Sequence, residues 1–293
     1  MKRLFRWIGV ISGVVVALAL VAAVLLYVLS ERVISRTYAI PTAGVSIPAD
    51  PAAVAEGRRL TAIRGCFTDC HGRQGEGRVM FDQPAIARIV APNLTSAVHT
   101  YSDAQLAGII RQGVRPDGRS VVVMPSEAYV ALTDSDLGRM LAYLKSLPPV
   151  AGPGPSVSVG PLGRLGLVTG KFKMAAQLIS EAPAPPQALS EDASYGRYLA
   201  RTTCGACHGS DLRGASNPDF TSPSLWIVAG YSPEAFTGLL RTGVALGERQ
   251  LPVMGPQARL NLTNLNDAEI AALYSYLHAL PDAAAPAGRR GAD

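Results

Sequence analysis

Two short strings set cysteines and a histidine side by side: C-F-T-D-C-H at Cys66, Cys70 and His71, and C-G-A-C-H at Cys204, Cys207 and His208. Together they use all four cysteines of the 293-residue chain and two of its four histidines. Two thiols about one helical turn apart can add to the two vinyl groups of a porphyrin, after which the next residue can swing an imidazole onto its iron. C-x-x-C-H is the attachment string for c-type haem. The first string has one extra residue, which a bulge in the loop can absorb if the Cys70-His71 dipeptide is kept. Zinc would need four ligands per site, whereas His99 and His278 are single and far from either string. A thioredoxin-like redox pair would want a βαβ setting, and disulfides give no reason for a histidine after both pairs.

Iron ligated by one imidazole needs a sixth ligand, and a thioether there favours the ferrous state and raises the potential. Met124 lies 53 residues after His71 and Met254 lies 46 residues after His208. Both are expected in non-helical segments just before a closing helix, where a side chain can turn inward. Of the other methionines, Met140 is expected to pack a helix core, Met80 is too near the first string, and Met174 falls in a linker. Pro92 and Pro223 follow their histidines by 21 and 15 residues, and their carbonyls are candidates to accept the second imidazole N–H. Arg111 and Arg241 are either clamps for a haem propionate or ordinary exposed helix arginines.

These residues occupy matching places in a repeat. Residues 101–114, Y-S-D-A-Q-L-A-G-I-I-R-Q-G-V, align without a gap on residues 231–244, Y-S-P-E-A-F-T-G-L-L-R-T-G-V. Met124 and Met254 share the same offset, and both copies end in an apolar helical stretch stopped by Pro148 or Pro281. Each copy reads as helix and loop with almost no strand signal. Ser102 with Gln105 forms a capping box and Gly113 ends that helix. Thr133, Ser232 and Asn266 are further N-caps, and Pro233 suits a first helical position. Residues 151–190 are rich in proline and glycine and read as a linker wrapping the surface, with a short helix over 171–179.

Ahead of the repeat, residues 7–30 run for 24 positions without a charge, enough at about 1.5 Å per residue to cross a hydrocarbon core of about 30 Å. Lys2, Arg3 and Arg6 precede the run, so the positive-inside rule keeps the N-terminus in the cytoplasm and sends the rest outward. A cleaved signal peptide shares the basic start but normally has a shorter apolar region and a small-x-small exit. The net charge of +5 and pI near 9.1 are partly this topology signal. With those three residues set aside, 24 basic side chains face 22 acidic ones, which gives no case for a nucleic-acid partner.

The order C-x-x-C-H, P-N-L-T, Y-S-D-A-Q-L, G-V-R-P-D-G-R, M-P-S-E-A-Y, L-T-D-S-D-L, A-Y-L-K-S-L-P resembles membrane-anchored class I cytochromes c over residues 50–282. In particular it is similar to the haem subunits of periplasmic alcohol, aldehyde and gluconate dehydrogenases. The resemblance implies an all-α fold: an anchor over 1–31, an extended linker over 32–49, and two tandem cytochrome c domains over 50–150 and 191–283. Residues 151–190 would join the domains and 284–293 would form a tail. It implies two covalent haem c groups, with Cys66, Cys70, Cys204 and Cys207 as thioethers. His71 and His208 would be proximal ligands, and Met124 and Met254 distal ligands. The expected role is single-electron transfer at the bacterial inner membrane, between a periplasmic dehydrogenase and quinone or another redox protein. A dihaem subunit of a haem-copper oxidase and a dihaem peroxidase are the alternatives.

Overall fold

The computed structural model describes residues 2–182, 191–216 and 221–280. Helix α1, Lys2–Ile34, carries the apolar run and is exposed along almost its whole length. Its continuation crosses the first repeat as extended chain: the Tyr38 N–H donates to the Gly118 carbonyl at 2.8 Å, and Pro41 packs on Gly108.

In the first repeat, α2 (Pro51–Ile63) begins at Asp50, whose carboxylate accepts from the Ala53 N–H at 2.8 Å. Strands β1 (Arg78–Gln83) and β2 (Ala87–Ala91) pair antiparallel as a hairpin. Helices α3 (Leu94–Thr100), α4 (Asp103–Gln112), α5 (Ser126–Tyr129) and α6 (Asp134–Ser146) follow. The capping box of Ser102 with Gln105, the left-handed Gly113 (φ 64°) and the Thr133 cap are all present.

Residues 151–190 differ from expectation. Strand β3 (Ser156–Val159) adds to β2 and completes a three-stranded antiparallel sheet, so the fold is mostly helical but not all-α. Helices α7 (Pro161–Val168) and α8 (Ala175–Glu181) come next, and Leu167, Met174, Ala175 and Ala176 are buried. This stretch is therefore packed structure and not a surface linker, because its small and apolar residues fill space against the first repeat. The helix expected over 171–179 starts four residues late, at Ala175. The end of that stretch, 183–190, and the expected tail, 284–293, lie outside the described residues.

The second repeat places α9 (Glu191–Leu199), α10 (Gly205–His208), α11 (Pro233–Thr242), α12 (Met254–Leu260) and α13 (Asp267–His278) in the order of their counterparts. Ser232 caps α11 with Pro233 at its first position and Asn266 caps α13, as expected, and Glu269 completes a capping box with Asn266. One close crossing recurs in both copies. A Cβ at Gly57 would lie 1.9 Å from the Arg139 carbonyl oxygen, and one at Gly196 would lie 2.1 Å from that of Ala272. Only glycine lets α2 meet α6, and α9 meet α13, at that separation.

The repeats also grip one another. Arg59 and Tyr198 each stand two residues after the crossing glycine, and Asp136 and Glu269 are each the third residue of the closing helix. Arg59 reaches Glu269 at 2.7 Å, and the Tyr198 hydroxyl reaches Asp136. A contact and its exchanged partner both occurring is the signature of an approximate twofold axis between the repeats. Ile63 of the first repeat is part of the apolar core of the second, and Tyr198 packs against both cores.

Candidate functional site

The first cysteine-histidine string forms a widened helical turn, and the second begins where one ends. In the first, Cys66–Cys70 forms a π turn in which the His71 N–H donates to the Cys66 carbonyl at 2.9 Å, so the extra residue becomes one more residue in the ring. In the second, a π turn over Ala200–Cys204 precedes the string, and Gly205–His208 is an ordinary α turn. No disulfide joins any of the four cysteines. Burial, with Cys207 nearby, pushes the Cys204 thiol up to about 12, which holds it uncharged.

The two imidazoles are fixed alike. Nδ1 of His71 lies 2.9 Å from the Pro92 carbonyl oxygen, and Nδ1 of His208 lies 2.9 Å from that of Pro223. A carbonyl can only accept, so Nδ1 carries the proton in both rings and Nε2 keeps its lone pair. Burial outweighs the carbonyl contact and lowers both imidazole pKa values, so both rings stay neutral near pH 7. This is the protonation state that a metal ligand requires.

Met124 lies in an irregular bend before α5 and packs against the first core. Met254 packs against the second core, but it is the first residue of α12 and not part of a non-helical segment. Met140 is buried within α6, as expected of core packing.

The arginines have other partners than those considered. Arg111 donates to Asp134 at 2.6 Å and Arg241 donates to Asp267 at 2.7 Å, and each aspartate opens a closing helix. Arg241 also donates to the carbonyls of Thr263 and Leu265. Both arginines thus tie α4 or α11 to the closing helix of its repeat, α6 or α13. The Nε of Arg111 nevertheless remains buried without a partner, as do the Nε of Arg64 and the hydroxyl of Thr203, which stand beside the two strings. Orphaned buried donors of this kind call for an anionic acceptor. Cysteine pairs, neutral imidazoles with a lone pair at Nε2, methionines packed on each core and unused donors together fit a haem with its propionates.

Several neighbours were not visible in the sequence. Tyr129 is buried close enough to Cys66, Cys70 and Cys207 to feel the charge state of both strings, and burial pushes its phenol well above the ordinary value. Glu127 borders a cavity of about 300 Å³ together with Gly205, Ala206, Gly209 and Asp211. Burial raises its carboxyl pKa, and its Oε2 has no partner. Ala128 meets Gly205 across the repeats, and Thr68 hydrogen-bonds Asn261 at 2.7 Å. The two strings therefore lie on the shared face of the two repeats.

Residues 193–281, which make up the second repeat, match the family model described as "Cytochrome c". The chain is 25% identical over 269 residues to the "Fructose dehydrogenase cytochrome subunit" of Gluconobacter japonicus, covering 82% of this chain and 55% of that protein. It is 24% identical over 270 residues to "Alcohol dehydrogenase (quinone), cytochrome c subunit" of Gluconacetobacter polyoxogenes and of Komagataeibacter europaeus, covering 80% of this chain and 57% of each. This chain is similar to the cytochrome subunits of dehydrogenases. It spans little more than half the length of these relatives. The expected alcohol-type subunits are among them, and a fructose-type subunit joins them. The family model matches one repeat and not two. The first repeat differs from the second by its extra residue between cysteines and by the length of the antiparallel strand pair between histidine and proline, where Ala215–Ser216 pairs with Thr221–Ser222 in the second.

Proposed function

We propose that this chain is a membrane-anchored dihaem cytochrome c that relays single electrons from a partner dehydrogenase to a downstream acceptor such as quinone. The supporting observation is the duplicated imidazole geometry: each string holds its histidine by Nδ1 on a proline carbonyl, with Nε2 left as a donor to iron. By this reading Cys66 and Cys70, and Cys204 and Cys207, are thioether sites, His71 and His208 proximal ligands, and Met124 and Met254 distal ligands. Each haem c supplies a reversible one-electron couple of its iron. The residues of the chain do the rest: Pro92 and Pro223 fix the tautomer, the methionine thioethers favour the reduced state, and the two apolar cores exclude water from around the strings.

The anchor is α1, whose apolar run stays exposed beside a folded body, as a membrane span would be in the absence of lipid. The basic residues before it support a body on the periplasmic side of a bacterial inner membrane. The relatives' names make a quinone-linked dehydrogenase the natural donor complex. A pyridine haemochrome assay combined with the intact mass tests the core of the proposal. Two haems per chain is the expected result, and one haem, or the mass of the bare polypeptide, would falsify it.

A further inference from the structure

Helix α7 presents a face that neither repeat covers. Its Gly163 and Leu167 side is pressed onto the body: a Cβ at Gly163 would lie 2.2 Å from the Ile86 carbonyl oxygen, and Leu167 is buried. The Leu162 N–H donates to Ala85 at 2.9 Å, which pins the start of the helix to the β1–β2 turn. On the opposite side, at three-residue spacing, Leu162 is 58% exposed, Leu165 47% and Val168 37%, with Phe172 also 37% exposed just beyond. A stripe of this size on a short helix would ordinarily be turned inward.

The location of the stripe identifies what covers it. Arg164, on the flank of α7, donates to the Ser30 hydroxyl at 2.8 Å and to the Glu31 carboxylate at 3.2 Å. Its guanidinium also stacks 4.2 Å from the centre of the Tyr27 ring. Tyr27, Ser30 and Glu31 are the residues at which the apolar run of α1 gives way to charge, which is where a spanning helix leaves the hydrocarbon. So α7 is fastened to the anchor at the level of the membrane surface, and its stripe points away from the haem-bearing body.

We infer that α7 is a second membrane contact: an interfacial helix that lays Leu162, Leu165, Val168 and Phe172 into the outer leaflet beside α1, with exposed Lys171 available to lipid phosphate. A single helix leaves a domain free to spin and tilt about its linker. A second contact locked to the first by Arg164 fixes which side of the repeats faces the bilayer. This inference rests on the proposal that α1 spans the membrane.

The test uses the full-length chain reconstituted in vesicles of phosphatidylcholine and phosphatidylglycerol. A photoreactive p-benzoylphenylalanine replaces Leu165 in one sample and Leu246, an exposed leucine of the second repeat, in another. Phospholipid adducts are counted by mass spectrometry. The expected result is several-fold more adduct at 165 than at 246, falling to the level of 246 when Leu162→Glu and Val168→Glu are added. Equal yields from a chain that resists alkaline carbonate extraction would overturn the interfacial helix and leave the anchor standing. Release of the chain by carbonate would overturn the anchor and, with it, this inference.

Discussion

An imidazole bonds iron through one nitrogen only, and the partner of the other nitrogen decides which. In both strings that partner is a proline carbonyl at 2.9 Å. Pro92 and Pro223 were visible as candidates because each follows its histidine at a loop-sized distance. Tyr129 and Glu127 were not, since nothing local to M-P-S-E-A-Y shows that the second string will pack on it. Arg111 and Arg241 were recognisable as a recurring pair, but their carboxylate partners lie 23 and 26 residues farther on. Two outcomes follow from the proposed ligation. Cys70→Ala and Cys207→Ala should each reduce covalently held haem at their own string, visible as a mass lower by one haem in a fraction of chains, with the other string unaffected. Met254→Ala should lower one midpoint potential, by of order 100 mV within the ~0.8 V that axial ligands span, as read by a redox titration.

At the scale of elements, caps and stop signals carried most of the helical order, because Ser102, Thr133, Ser232 and Asn266 act within one turn of themselves. The sheet was hidden for the opposite reason. Strand β3 has four residues and pairs with β2 some seventy positions earlier, with Ala87 opposite Val159, and no local pattern encodes such a return. The π turn at Cys66–Cys70 was foreseen only as an unspecified bulge. The glycine crossings give a sharper expectation. Gly57→Ala and Gly196→Ala each force a methyl group against a carbonyl oxygen at about half a normal contact distance. Each should cost about 1–3 kcal/mol or more, measured by guanidinium unfolding. Gly238→Ala has nothing within 4 Å and should be neutral or mildly stabilising.

Contacts between the repeats hold the whole molecule together, and among them is the Arg59–Glu269 ion pair. The Glu269 side chain is 3% exposed and also accepts from the Asn266 N–H. Burial raises its pKa, but the Arg59 guanidinium and the Asn266 N–H outweigh burial and leave it below the usual carboxylate range. A folded-state pKa below the unfolded one means stabilisation that is present above about pH 4.3 and lost as the pH falls through the folded value. Glu269→Gln should therefore destabilise at pH 7 by about 3 kcal/mol, since it leaves Arg59 short of its buried partner. Thermal unfolding across pH 3–7 should show the difference from the parent chain shrinking on the acid side, and a constant difference would count against the pair.

The exchange-related contact is not chemically the same. Where one side of the axis joins a guanidinium to a carboxylate, the other joins a phenol to one. Two identical chains meeting on a twofold axis would have to repeat a single contact on both sides, whereas one continuous chain is released from that duplication. If each string carries its own haem, the two stations along the electron's route are unequal by construction. A relay of equal stations has no preferred sense of travel; one with an asymmetric charge setting has a downhill end, and its redox titration should resolve into two separate steps.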